Sequence, residues 1–168
     1  DVRAYKRIKM FVHAEGEDPD SDLKDGDLSC FIRLGADFTD NYYEYEIELK
    51  PTPWYTSSPN DIWPTENEID IAFEIFQDAK QDRNNAGYDV GTPYVWPDLK
   101  DGEKVTVVGN PNLAQVKTIM IGVRNPKKVS MSSADDGLDK CGQIWVNELR
   151  LTDFDEYGGW AANSRLTA

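Results

Sequence analysis

Between Tyr5 and His13 the chain alternates Ile8, Met10 and Val12 with Arg7, Lys9, Phe11 and His13. A period of two is the mark of a strand with one face buried, and it puts His13 on the solvent side. The same alternation recurs over Leu28–Leu34, with Leu28, Cys30, Ile32 and Leu34 on one face, and more strictly over Tyr43–Leu49. Later runs at Lys104–Val108, Val116–Arg124 and Gln143–Leu151 bring the expected strands to at least six. Turn-rich joints separate them at Glu17–Asp22, Lys50–Pro53, Ser57–Asp61 and Gly109–Asn112. One segment has another period: Thr65 and Glu68 form a capping-box pattern after Pro64, and Ile71, Ile75, Phe76 and Ala79 recur at helical spacing. This predicts one helix over residues 66–83, although the alternation of Ile69, Ile71 and Phe73 suits a short strand leading into it equally well. Many strands and one helix predict a mainly β protein, a two-sheet antiparallel β-sandwich of jelly-roll-like type with the helix in a crossover loop. No internal repeat interrupts the pattern.

Length and composition fit this reading. The chain has 168 residues, of which 39% are hydrophobic and 11% aromatic, enough for one domain with its own core. Its 31 acidic residues outnumber 18 basic ones, for a formal charge of −13, which repels nucleic-acid phosphates and anionic lipid headgroups. The expected partners therefore include no nucleic acid and no direct membrane contact. The start, Asp1-Val2-Arg3, lacks the charged and apolar regions of a signal peptide, so a mature protein or an excised domain is expected. Cys30 and Cys141 are too few and too far apart for a zinc or redox motif; the sequence leaves a disulfide between them and two free thiols both open.

The residues offer little for catalysis. With His13 as the one histidine, neither a Ser-His-Asp relay nor a multi-histidine metal site has a second imidazole to draw on, and no nucleophile elbow or phosphate-cradling loop is present. No enzyme is expected. Asp18, Asp20 and Asp22, followed by Asp25 and Asp27, supply oxygen ligands of the kind calcium takes, but an EF-hand starting at Asp18 would need glycine and glutamate where Leu23 and Ser29 stand. A non-helical calcium turn and a solvated acidic hairpin remain the two readings, and calcium is the one candidate cofactor. Asp135, Asp136 and Asp139 make a second, weaker acidic turn. Trp54, Tyr55 and Trp96 lie in or beside loops, where exposed aromatic faces bind sugar rings and where aromatics flanked by proline also plug sandwich edges. In the last strand, alternation places Glu148 and Arg150 beside Ile144 and Val146, with Asn147 on the other face. A carboxylate among apolar neighbours needs a partner, which makes Glu148 a structural pin with Arg33 or Arg124 as its mate.

The segments Ile121–Pro126 and Trp145–Ala162, the latter reading WVNELRLTDFDEYGGWAA, resemble the SprA (Sov) family, with further similarity at Tyr5–His13, Phe31–Gly35, Asn41–Tyr45 and Gly109–Leu113. That family is the outer-membrane translocon of the type IX secretion system, which serves protein export and gliding motility and is built as a giant β-barrel with inserted soluble domains. The resemblance implies a non-catalytic soluble domain at the outer membrane or cell surface, facing the periplasm or the outside. Its partners would be the rest of the parent chain and secreted cargo or accessory secretion proteins, with the membrane reached only through the parent barrel. No catalytic residues carry over. Trp160, Ala162, Ser164, Leu166 and Ala168 alternate with Ala161, Asn163, Arg165 and Thr167, as a barrel strand does. The expected division is a sandwich over residues 1–157 and a C-terminal segment, 158–168, that begins a barrel strand of the parent. The other reading is a cell-surface carbohydrate-binding module of jelly-roll type.

Overall fold

A computed structural model describes residues 2–97, 99–100, 102–125 and 138–154. Eight strands form two antiparallel sheets. Strands β1 (Tyr5–Gly16), β4 (Glu68–Ala72) and β8 (Gly142–Phe154) make a three-stranded sheet in the order β4-β1-β8. Strands β2 (Ser29–Gly35), β3 (Tyr42–Glu48), β5 (Tyr94–Trp96), β6 (Glu103–Val108) and β7 (Thr118–Arg124) make a five-stranded one in the order β5-β6-β3-β2-β7. All six strands expected from alternation are present. The pairs β1–β8, β2–β7 and β3–β6 nest first with last, as in a jelly roll, and the β2–β3 hairpin keeps the inner two pairs in one sheet.

The core follows from the alternation. Ile8, Met10, Val12 and Ala14 of β1 face Cys30, Ile32 and Leu34 of β2, Tyr43, Tyr45 and Ile47 of β3, and Val105 and Val107 of β6, all buried in one cluster. Beyond the core the rows thin out: Ile119 and Val123 continue the inward rows of Leu34 and Cys30, and Val146 that of Val12, yet each is more than 40% exposed.

The helix expected over 66–83 is shorter and starts later. Thr65–Asn67 is a 3₁₀ turn, β4 follows, and the helix α2 spans Phe73–Asn85 from an uncapped Ala72. The capping box is not formed; Thr65 Oγ1 turns to Glu66 instead. Pairing decides the matter, since Ile69 and Ile71 stand opposite Met10 and Ile8 and add two apolar residues to the core, which a helix there would not do. Past Ala72 the helical period takes over, and α2 buries Phe73, Phe76, Ala79 and Arg83. It crosses from one sheet to the other, as expected. Arg83 Nη1 donates to the Gly109 carbonyl at 2.5 Å, and Lys80 Nζ and Tyr43 Oη both donate to that of Pro111, so the β6–β7 turn is pinned against the helix.

A bulge overturns the alternation expected in β8. Phe11 pairs with Asn147 and Lys9 with Arg150, leaving Glu148 and Leu149 opposite the single Met10, with Glu148 at φ 54°. The bulge shifts the facing by one, so Leu151, opposite Ile8, turns inward in place of Arg150. Glu148 is therefore exposed and its ion pair is with Arg150, at 3.1 Å, not with Arg33 or Arg124. Asn147 is exposed as well.

Arg33 and Arg124 serve the outer face of the larger sheet. Arg33 Nη2 meets Glu44 at 2.6 Å, Arg124 bridges Glu44 and Glu46, and Ser29 Oγ donates to Glu46 at 2.6 Å. Both guanidiniums lie over aromatic rings, Arg124 over Phe31 at 4.0 Å and Arg33 over Tyr42 at 3.8 Å. Phe31 in turn packs its ring against Gly122, its partner on β7. A Cβ at Gly122 would fall inside the contact distance of that ring. Gly122→Ala is expected to destabilise the domain by about 1–3 kcal/mol in urea unfolding, the cost of overpacking, and Phe31→Leu in the same chain to restore part of the loss.

Cys30 and Cys141 are free thiols, the first buried in the core and the second exposed just before β8, so the bridge left open by the sequence is not formed. Burial, with a smaller push from the Glu46 charge, raises the Cys30 thiol to about 12. One equivalent of a thiol reagent is expected to react with the folded protein near pH 8, at Cys141, and a second only after unfolding.

Candidate functional site

The expectation that His13 faces solvent is wrong in an informative way. His13 does point outward from the core, but it is only 2% exposed, because a strap of chain from Lys50 to Asn67 crosses the outer face of β1 and roofs it. A strap over a sheet buries backbone groups that need partners, and three side chains supply them. Asn67, fully buried, accepts from the Lys50 amide at 2.7 Å and donates to its carbonyl at 2.8 Å, so one carboxamide closes both ends of the strap. Thr52 is held by its amide, 2.7 Å from the Ala14 carbonyl, while its hydroxyl donates to the carbonyl of Asp61 at 2.9 Å. His13 Nδ1 lies 2.6 Å from the Ile62 carbonyl, which only accepts, so that nitrogen carries the proton. Nε2 is left facing Glu15 at 3.4 Å.

Aromatic rings complete the roof. Trp145 of β8 stacks on the imidazole with centroids 4.9 Å apart and planes at 17°, and Trp63 packs edge-on against Phe11 and tilted against His13. Trp63 is set by a single turn of helix, α1 (Pro59–Ile62), whose proline lies in its first turn. Outside, Lys50 Nζ and Glu66 meet at 2.8 Å; the hydrogen bond between them raises the lysine and lowers the carboxyl from their ordinary values. The one histidine thus fastens a loop, a role sequence alternation does not reveal, because what covers a strand's outer face is distant in the chain.

The strap's free bend carries two of the aromatics singled out from sequence. Trp54 is 39% and Tyr55 88% exposed, and their rings meet edge to face, 6.2 Å apart and inclined at 60°. They form a wedge and not the flat platform on which a sugar ring stacks. Tyr55 has a φ of 64°, in a turn closed by the Thr56 amide on the Pro53 carbonyl at 3.4 Å, a position that ordinarily falls to glycine or asparagine. Trp96 is elsewhere, in β5, partly buried against the core, so the three residues expected to share a sugar site are not one surface. Clefts of about 270, 330 and 390 Å³ surround the segment from Lys50 to Trp54, one against the Gly16–Asp25 loop, one against β3 and one against Trp63 and Pro64.

The acidic loop before β2 does not gather its carboxylates. Asp18 Oδ1 caps the turn by accepting from the Asp20 amide at 2.9 Å, and Asp27 accepts from the Lys24 amide. Asp22 and Asp27 instead converge on the ammonium of Lys140, at 3.4 and 3.2 Å, with the lysine side chain almost wholly buried. Asp18, Asp20 and Asp22 thus form no common shell, and among the described residues no group of three or more His, Cys, Asp or Glu is placed to hold a metal. The cation at this loop is a lysine 113 positions beyond Asp27, which no local spacing signals. Asp135 and Asp136 of the second acidic turn lie outside the described residues, as does the alternation of residues 158–168.

No described helix is long and apolar enough to cross a membrane. Over its whole length, residues 1–168, the chain matches the model of the SprA_N family, described as motility related/secretion protein. No curated protein matches it.

Asn67→Ala is expected to cost about 2–3 kcal/mol, because it strands both backbone groups of Lys50 under the strap. Urea unfolding measures the loss, and amide exchange at Lys50 and Thr52 should accelerate well beyond that of the core strands.

Proposed function

The chain belongs to the SprA_N family of motility-related and secretion proteins, and from that premise we propose that it is a non-catalytic soluble domain of an outer-membrane type IX secretion translocon, working through protein contact. The whole-length family match carries this reading. Three features support the contact role over chemistry. The single imidazole is engaged by a backbone carbonyl and covered by two tryptophans. The larger sheet's outer face is occupied by its own ion-pair network, in which Glu44 and Glu46 are themselves buried. The most exposed aromatic of the described residues is displayed on a loop with no catalytic group among its contacts. Export would belong to the parent chain's barrel, with this domain at its rim, anchored through that chain and meeting cargo or accessory secretion proteins.

Fractionation of cells that make the parent protein tests the assignment. An antibody to this domain should detect one very large polypeptide in the outer-membrane fraction, and removal of the domain should leave cargo proteins inside the cell. A released band near 19 kDa, the mass of the chain alone, with export intact after removal, would overturn it.

A further inference from the structure

We propose that Trp54 and Tyr55, with the clefts beside them, form the docking site for an extended, basic segment of a partner polypeptide. The proposal rests on the reading of the domain as a protein-contact module and names the site and the chemistry of what it contacts.

The first observation is the display of Tyr55. A tyrosine at φ 64° occupies a conformation that L side chains other than asparagine and aspartate seldom adopt, and this ring is 88% exposed. Its one ring contact among the described residues is Trp54. Strain of this kind persists where the surroundings fix it and is concentrated at ligand-contacting sites. Here the surroundings do fix it: Pro51, Pro53 and Pro59 stiffen the bend, and the Thr52 and His13 hydrogen bonds anchor its base. The result is an aromatic pair held away from the body at low entropic cost to a partner, the composition and preorganisation of an interface hot spot.

The second observation is the shape and lining of the flanks. On one side Pro19, Leu23, Pro51 and Trp54 line a cleft with Asp25. On the other Pro51, Pro53, Trp63 and Pro64 line one with Asp61 and Glu66. Clefts that mix proline and tryptophan faces with carboxylates accept the alternating apolar and charged side chains of an extended chain, whereas rings inclined at 60° offer a hexose no flat face.

The third observation is charge, and it fixes the partner's chemistry. The two clefts beside Pro51 and Pro53 are lined by three carboxylates, Asp25, Asp61 and Glu66, against the one ammonium group of Lys50. Lys50 is already paired with Glu66. Exposed Asp18 and Asp20 flank Pro19 on the rim, and the chain as a whole carries −13. A segment bearing lysine or arginine between apolar anchors complements this surface, and an acidic one is repelled.

The test uses the full parent protein in its own membrane, with a benzophenone amino acid placed at position 55 and, as the control, at the exposed Tyr88. Irradiation followed by mass spectrometry of the adducts should give, at position 55 only, a covalent link to a polypeptide segment containing lysine or arginine. Its yield should fall at least fivefold on Trp54→Ala, on Asp18→Asn with Asp25→Asn, and in 0.5 M salt. Adducts to lipopolysaccharide or glycan alone, adducts to an acidic segment, equal labelling from position 88, or no adduct would each overturn the proposal. Cargo export, read in the same strains, separates the two levels of argument. If export survives removal of the domain, the contact-module reading fails. If export requires the domain but is unchanged in Trp54→Ala with Tyr55→Ala, and no adduct forms, the docking site fails and the broader reading stands.

Discussion

The structure turns on the burial of β1 from both sides. Its inward residues, Ile8, Met10, Val12 and Ala14, are the centre of the core, and its outward ones would face water in an ordinary two-layer sandwich. Instead the Lys50–Asn67 strap covers Phe11 and His13, while Arg7 and Lys9 pair with Asp70 of β4. A covered sheet face is favourable only when the covering chain's own amides and carbonyls are satisfied, since each one stranded costs about 1–3 kcal/mol. Asn67, Thr52 and His13 meet that requirement, which is why three polar residues with 6% exposure or less lie together where the strap meets the outer face of β1.

The larger sheet covers its outer face by another physical means. Among the described residues no strap crosses this face, and it is closed by Phe31, by two arginines lying over aromatic rings, and by the carboxylates of Glu44 and Glu46. Buried carboxylates are costly unless paired and hydrogen-bonded, and here Glu44 has two cationic partners and Glu46 two cations and a hydroxyl. The pairing runs across β2, β3 and β7, so it fixes the register of three strands at once and depends on Gly122 leaving room for the Phe31 ring beneath it. Among the described residues one sheet is thus capped by chain and the other by charge.

Sequence periodicity was sufficient for what depends on neighbours two or four positions apart. The alternating rows of β1, β2, β3, β6 and β7 lie where the pattern puts them, and so does the buried stripe Phe76–Ala79 of α2. It failed wherever a contact distant in the chain decides the outcome. Ile69 and Ile71 fit a helix by spacing but are taken by β1. Glu148 belongs to the inner row by counting, and a bulge that counting cannot reveal moves it out. His13 reads as solvent-facing because the roof comes from 39 and 49 residues away. The acidic run leaves a calcium turn and a solvated hairpin both open, and neither reading foresees the ammonium of Lys140 that meets Asp22 and Asp27. Of the aromatic residues singled out, Trp54 and Tyr55 were legible as exposed loop residues, but their mutual angle and the strained turn were not.

The proposed docking role joins the strap's stability to its function. Its base is held by a reciprocal carboxamide pair at one end and a stacked imidazole beneath. Its tip is strained and its two rings are in water. That contrast has a thermodynamic logic, because a loop ordered in advance does not have to be ordered again when a partner arrives, and the cost of ordering is met during folding by hydrogen bonds that binding never disturbs. A flexible loop bearing the same tryptophan and tyrosine would gain the same contact area and lose much of it to entropy. His13 of β1, with Thr52 and Asn67 of the strap, therefore holds the platform from which Trp54 and Tyr55 project.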